Sequence, residues 1–533
     1  MGNRNTLTIF HNGKIFTAND DQFYASAMVV KDGRLAWVGQ DDEIEGMEGE
    51  RVDLEQRRVI PGFIDAHMHP LHLAKTAKQV PCTPPKVQSI TDLIQEIKSR
   101  KVELPEGAWL EGWGFDEGKL TERRTPTRWD LDKASSNTPA LFMRAYGHIA
   151  VANSVALRLA GITRETPDPA GGEIDRDENG EPTGILKENA KDLVAEVMPS
   201  LRQVENISLL TENSKELARL GITTITDLMA RKKEEDDMDL YSLAHQQGLK
   251  QRVVIYYKWE DIKDDPRINE EAKNRANPVY VGGLKLFADG SVSGRTAWVN
   301  TPYIDQPDNV GIQTTTKKEL LDAAEAAEQN GVQLAVHAMG EQAIKLIVET
   351  FADRPGWLNE GPSIRIEHAS FLNDDITRLA VKAGIAFVTQ PIFVYSEIES
   401  YLGNLGLERT QLSYPIRMML EHGATVAFSS DAPGNAWAEP VDPFIGIKSA
   451  VTRRAYDGSD IGQNEKIDTA TAIKLYTRVA QEVTRVPGIG QLQPGNHADF
   501  IILDRDILDI DAESIDQVQV VETYINGECV YKK

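Results

Sequence analysis

The sequence predicts an α/β protein: a (β/α)8 TIM barrel, a small β-sandwich formed by both termini, and an insertion after the first barrel strand. Short apolar runs alternate with helical patterns through the middle of the chain. Both ends instead read as short strands separated by tight turns. A long stretch between the first two strand candidates fits neither pattern.

The barrel strands are expected at 59–67, 221–228, 252–258, 282–290, 332–340, 363–370, 385–391 and 425–433. Amphipathic stretches lie between most of them, such as 317–331 and 374–384. Near-continuous apolar strands joined by helices imply a parallel sheet covered on both faces, and eight such units suggest closure into a barrel. At the ends, Asn12-Gly13, Asp32-Gly33 and Asn526-Gly527 are hairpin-turn signals. Residues 1–60 and 485–533 are assigned to the β-sandwich, 61–75 and 206–484 to the barrel. Residues 76–205 are assigned to the insertion, which is expected to cover the substrate site.

Bulk properties narrow the partners. The 533 residues carry 58 Lys plus Arg against 82 Asp plus Glu, a net charge of −24. That surface disfavours nucleic acid and anionic membranes, and its plainest role is solubility. The two cysteines, Cys82 and Cys529, form no disulfide framework. A reducing, cytoplasmic setting is expected. No run of eighteen apolar residues reads as a membrane span, and the first residues read as a strand and turn.

The chemistry is concentrated at strand ends. His67 and His69 close the first barrel strand, where positions i and i+2 face the same side and two imidazoles can reach one ion. A lone HxH pair is more often structural or exposed. Its place at the carboxyl end of a barrel strand raises its weight, because barrel active sites lie there. His337 and His368 follow the fifth and sixth apolar runs; singly, each is as readily a hydrogen-bonded core histidine. The chain holds ten histidines, and four of them fall at one rim. Asp431 ends the eighth run. Alone it reads as a turn or N-cap residue; beside four histidines it reads as a ligand and proton acceptor. Lys285 lies between Leu284 and Leu286 in a run expected to be buried. Burial lowers an amine's pKa, and a neutral amine can take up carbon dioxide as a carbamate; the rival reading is a Lys paired to a barrel carboxylate.

These residues stand within PGFIDAHMH (61–69), GHIAVANSVALRLAGI (147–162), DPAGGEIDRDENGEPTGILKENA (168–190), GGLKLFADGSVSGRTA (282–297), VHAMGEQAI (336–344), RIEHAS (365–370), SSDAPG (429–434) and PGNHADFIILD (494–504). In them the chain resembles the amidohydrolase superfamily, in its YtcJ-like branch, which is related to N-substituted formamide deformylases. The resemblance implies that His67, His69, His337 and His368 bind one or two divalent ions, most readily zinc. It further implies that Lys285 is the N6-carboxylated bridging lysine. Asp431 would bind metal and shuttle the proton, and Asp499 would be the acid of the strand returning to the sandwich.

The reaction then expected is hydrolysis of a non-peptide carbon–nitrogen bond in a small amide, formamide or cyclic amide by metal-activated water. The rivals are a mononuclear deaminase, an esterase or lactonase on the same fold, and a non-catalytic binding protein. Substrate contacts are expected from His148, Trp113, Asp116 and Arg295, although each also reads as a packing or surface residue. The partner expected is a small molecule, and a homodimer is expected from family habit.

Overall fold

The computed structural model describes residues 7–102, 104, 107–145, 147, 149–199, 202–233 and 235–533. The chain divides into two compact units: Met1–Pro70, Leu210–Ala432 and Val441–Lys533 in one, and Leu71–Leu209 with Pro433–Pro440 in the other.

The first unit holds an eight-stranded parallel sheet: β1 Phe63–Met68, β2 Ile222–Ala230, β3 Arg252–Lys258, β4 Val279–Phe287, β5 Gln333–Ala338, β6 Ile364–His368, β7 Ala386–Thr389 and β8 Val426–Phe428. Each strand pairs in parallel with the next in the chain. The sheet curls into a nearly closed barrel. At the seam Asp431 N donates to His67 O at 2.8 Å, and His69 N donates to Ala432 O at 2.9 Å. The intervening helices are bounded as local chemistry dictates. Thr316 caps Lys317–Asn330 by accepting from Glu319 N, and Gly331 ends that helix at φ 65°. Asn373 caps Asp374–Lys382 by accepting from Ile376 N. Ile64, Ala66, Leu228, Val254, Tyr256, Ala335 and Val388 fill the barrel, closed below by Ala480, Val483 and Val486.

The expected first strand, 59–67, is two strands. Arg58–Pro61 pairs with the carboxyl-terminal strand Phe500–Leu503, and only Phe63–Met68 enters the barrel. Gly62 is the joint: its N donates to Asp499 O at 3.1 Å, while Phe63 N donates to Gly221 O at 3.0 Å. A Cβ on Gly62 would lie 2.3 Å from the Thr223 side chain, so the close approach needs glycine.

Both termini do build shared sheets. A six-stranded sheet joins Lys14–Phe16, Tyr24–Ala25 and Arg58–Pro61 to Phe500–Leu503, Val520–Ile525 and Glu528–Lys532. A four-stranded sheet contains Thr8–His11, Ala27–Lys31, Arg34–Gly39 and Glu50–Asp53. Phe10 and Met28 of the second sheet share one core cluster with Val59 and Phe500 of the first. Asp32-Gly33 and Asn526-Gly527 turn hairpins, with all four residues at positive φ. Asn12-Gly13 does not. Its flanking strands lie in different sheets, so this pair is a corner; a Cβ on Gly13 would lie 2.5 Å from Leu54.

Asp506 fastens the terminal sheet. It accepts from Arg58 Nε at 2.7 Å and Nη2 at 2.8 Å, and from Lys14 Nζ at 3.2 Å. Burial pushes its carboxyl up, but Arg58 and then Lys14 outweigh burial and hold it below its ordinary value. A carboxyl with a depressed folded-state pKa contributes stability above the unfolded value of about 3.9, lost as pH falls through the folded one. The loss in Tm on acidification below that value should therefore be smaller in Asp506→Asn than in the parent. Identical acid limbs would show that the pair adds no pH-dependent stability.

The second unit is organised on a six-stranded mixed sheet. Val80–Pro81, Leu110–Phe115 and Ala140–Arg144 run parallel, followed by antiparallel Ile149–Ala152, Pro182–Glu188 and Gly172–Arg176. The inserted unit is thus somewhat longer than 76–205, and it recruits 433–440 from beyond the eighth strand, a return that no local pattern announces.

Candidate metal centre

The carboxyl ends of β1, β5, β6 and β8 bring the candidate ligands together. His67 Nε2 lies 3.2 Å, and His69 Nε2 2.8 Å, from the same oxygen, Asp431 Oδ1. One ligand atom each from His67, His368 and Asp431 fall within 4.8 Å of one another. The ring of His368 lies 4.9 Å from that of His67 and 4.3 Å from that of His337, centroid to centroid.

Each imidazole is oriented by a partner behind it. His67 Nδ1 sits 2.6 Å from Glu367 Oε2 and donates to it, leaving the Nε2 lone pair toward Asp431. Gln390 Nε2 donates to Ser429 Oγ at 2.8 Å, so its Oε1 accepts from His368 Nδ1, also at 2.8 Å. His337 Nε2 donates to Gly290 O at 3.0 Å, which assigns its lone pair to Nδ1. Burial is the main force lowering the His337 pKa, to about 3, and that of His368 falls as well. Neutral imidazole is the form that binds metal.

Backbone strain aims two of these side chains. His368 has φ 72° and Asp431 φ 55°, left-handed values that non-glycine residues seldom adopt. In a regular strand Glu367 and His368 would face opposite sides; the turn at His368 brings its ring to the side that Glu367 faces. Asp431 is held by its bond to His67 O and by the preceding residue: Ser430 N and Oγ donate to Asp65, at 3.1 and 2.5 Å.

Lys285 is 1% exposed, and its Nζ has no hydrogen-bond partner among the described residues. Nζ stands 5.1 Å from the Phe287 ring centroid. Burial brings its pKa down to about 8, against the pull of Glu367 and Asp431. Lys285 is near enough that its charge acts on both His337 and His368.

The donor set fits a divalent cation. With Nδ1 protonated, the His67 Nε2 lone pair faces a carboxylate oxygen. Two acceptors at that distance require a proton or a cation between them. Lys285 Nζ is buried without a hydrogen-bond partner among the described residues, and Asp431 Oδ1, with an imidazole nitrogen on either side, makes no well-formed hydrogen bond. Buried polar atoms left so are rare, and metal ligation satisfies them.

Residues that the sequence reading passed over complete the centre. Glu367 and Arg365 are both fully buried; Arg365 Nη2 donates to Glu367 Oε2 at 2.9 Å and to Ala66 O at 2.6 Å. Burial would raise the Glu367 carboxyl, but Arg365 and His67 outweigh it and hold it below its ordinary value. Gln390 and Asp65 are the other two. An acid spaced i+2 from an arginine inside an apolar strand was the available signal for Glu367.

The expected substrate contacts fall in both units. Arg295 Nε donates to Asn404 Oδ1 at 2.6 Å, tying the segment after β4 to the helix Ile398–Leu405. Trp113 and Asp116 belong to the inserted unit. There Trp113 meets the His72 ring edge-on at 5.2 Å, and Asp116 Oδ1 accepts from Gly118 N at 2.8 Å. His148 lies outside the described residues.

Comparison with known proteins gives a consistent picture. A model of the amidohydrolase family matches residues 50–531. The protein named "Putative amidohydrolase YtcJ" in Bacillus subtilis (strain 168) is 31% identical over 542 residues, covering 98% of this chain and 99% of that one. The N-substituted formamide deformylase of Arthrobacter pascens is 28% identical over 544 residues, 98% of either chain. Among solved structures, an uncharacterized metal-dependent hydrolase from Pyrococcus horikoshii OT3 superposes with TM-score 0.74 at 28% identity, over 95% of this chain and 99% of that one.

Proposed function

The chain belongs to the amidohydrolase family and is a hydrolytic enzyme acting on carbon–nitrogen bonds, and on that premise we propose that it cleaves a small amide, formamide or cyclic amide at a zinc-containing centre. The observation that carries this reading is the convergence of two imidazole nitrogens from β1 on one oxygen of Asp431. The full-length similarity to a formamide deformylase favours N-substituted formamides as the first substrates to try.

His67, His69, His337, His368 and Asp431 would hold the metal, and Lys285, as its carbamate, would add an anionic oxygen ligand beside them. When bound, the ion polarises the substrate carbonyl and acidifies water to a pKa of about 7. Asp431 accepts the proton that the attacking water gives up and returns it to the leaving nitrogen. Water is thereby added across the bond: the acyl carbon gains a hydroxyl and the nitrogen departs as an amine. Glu367 keeps His67 in one tautomer throughout. Both cysteines are free, Cys82 buried and Cys529 exposed, so the fold relies on no disulfide and is suited to a reducing compartment such as the cytoplasm. Among the described residues no helix is long and apolar enough to cross a membrane.

The test is a screen of N-formyl, N-acyl and cyclic amide compounds against the purified chain, with elemental analysis of bound metal. Turnover should disappear on chelation and return when zinc, manganese or cobalt is restored. A chain that binds no transition metal and gains no activity from any of the three would sink the reading.

Lys285→Ala separates the bridged centre from the single-ion rival. If the lysine carbamate joins two ions, the variant should retain fewer metal equivalents and lose most of its turnover. Unchanged metal content and rate would assign the chain to the mononuclear class, in which the lysine is a spectator.

A further inference from the structure

The opposite end of the barrel holds a separate cavity of about 460 Å³ where β3 and β4 begin. Arg34, Lys250, Arg252 and Arg275 line it, His245 and His497 stand beside them, and among the described residues no acidic side chain forms its wall. Four cations around one small cavity are unexpected in a chain of net charge −24.

Their compensation is incomplete. Arg252 is bonded to the buried Asp499 and to Asn526, which also lines the cavity. Among the described residues the one acidic partner of Lys250 Nζ is the exposed Glu528, at 2.9 Å, and that of Arg275 is the exposed Glu360, at 3.6 Å. Pairs so open to solvent neutralise little. Arg275 Nε otherwise donates to the carbonyl of Arg485 at 2.9 Å, and Arg34 Nη1 to that of Gly495 at 2.8 Å. These neutral acceptors leave both positive charges in place.

A second observation concerns Tyr280, on β4. This residue lines the cavity and is 2% exposed, yet its hydroxyl has no hydrogen-bond partner among the described residues. Arg275 and Arg252 lie close enough for their charges to act on that hydroxyl. A buried hydroxyl without a partner is costly to keep. Guanidinium and ammonium groups present N–H donors and no acceptor, and the phenol can donate as well, so the occupant these groups suit is an acceptor.

We infer that this cavity binds a small oxyanion, the phosphate or carboxylate group of a small molecule, at the end of the barrel remote from the metal-ligating side chains. The anion would link Arg34 of the terminal sheets to Arg252 and Arg275 of the barrel, and so stabilise the folded chain. The inference does not depend on the hydrolytic reading.

The test uses the full-length protein with inorganic phosphate and with succinate, each at ionic strength matched by chloride. Saturable calorimetric binding and a concentration-dependent rise in Tm are expected for at least one, and the preferred anion identifies the group. Affinity should fall about tenfold or more in an Arg34→Gln, Lys250→Gln double variant, as for loss of charge-assisted bonds. It should fall several-fold in Tyr280→Phe, which deletes one partnerless oxygen and keeps the packing. Binding of neither anion, or equal binding in the parent, the double variant and Tyr280→Phe, would overturn the assignment. If the double variant fails to fold, Tyr280→Phe decides alone.

Discussion

Asp431→Asn should lower kcat by about 10²–10⁴-fold, the range over which a positioned acid–base group acts, while leaving the barrel folded. The amide is isosteric, so the left-handed turn and the bond from its backbone N to His67 O survive. What is lost is the charge. Burial acts to raise the Asp431 carboxyl, but positive charge shared with His67 and His69, as a proton or as a bound cation between them, holds it well below its ordinary value, so it is the ionised acid that the centre contains. An asparagine can neither accept the water's proton nor pass it to a leaving nitrogen, and it is a poorer ligand for a hard cation. Single-turnover rates on the best substrate, with metal content measured on the same sample, separate these losses. If the variant binds a full metal complement and turns over within tenfold of the parent, Asp431 is not the proton carrier.

That this aspartate was legible at all reflects how the barrel writes its site. His67, His69, His337 and Asp431 each end an apolar run, and a strand's end is fixed by hydrophobic periodicity even where its exact limits are not. The i, i+2 rule alone puts Asp65 and His67 on one side of β1, with His69 next in that series just past its end. His368 was readable by position but not by orientation: beside Glu367 in a regular strand it would face away, and only its positive φ turns it inward. Glu367, Arg365 and Gln390 escaped because their importance is relational. An Arg and a Glu in a buried strand matter for what lies across the barrel, and Glu367 meets His67 from 300 positions away in the chain. The split at Gly62 was hidden for another reason. A continuous apolar run carries no mark where one sheet hands over to the next, and the glycine there answers to Thr223, a side chain far along the sequence. The segment 433–440 joins the inserted unit through long-range contacts with no local periodicity to report them.

Glu367 carries the largest expected effect on stability, and its two roles can be pulled apart. Its carboxylate neutralises the fully buried Arg365 and orients His67 in the same stroke. Removing one member of a buried ion pair strands the other charge, at a cost of about 3–5 kcal/mol. Glu367→Gln should therefore lower the denaturation free energy by that order. It should also weaken metal affinity by about 10–100-fold, as expected when a ligand histidine loses the acid behind it. Arg365→Met leaves the carboxylate buried with only His67 for a partner, and should cost comparable stability while sparing the His67 tautomer. The double variant Arg365→Met, Glu367→Gln removes both charges. Its stability should recover toward the parent, since paired charges replaced by neutral groups of similar volume are often nearly neutral in energy. Its metal affinity should not recover, because nothing ionised then stands behind Nδ1. Denaturant titration and metal competition on the three variants give the two readouts independently. Affinity that returned with stability in the double variant would mean that Glu367 serves only to balance Arg365, and that the ring of His67 is set by packing alone.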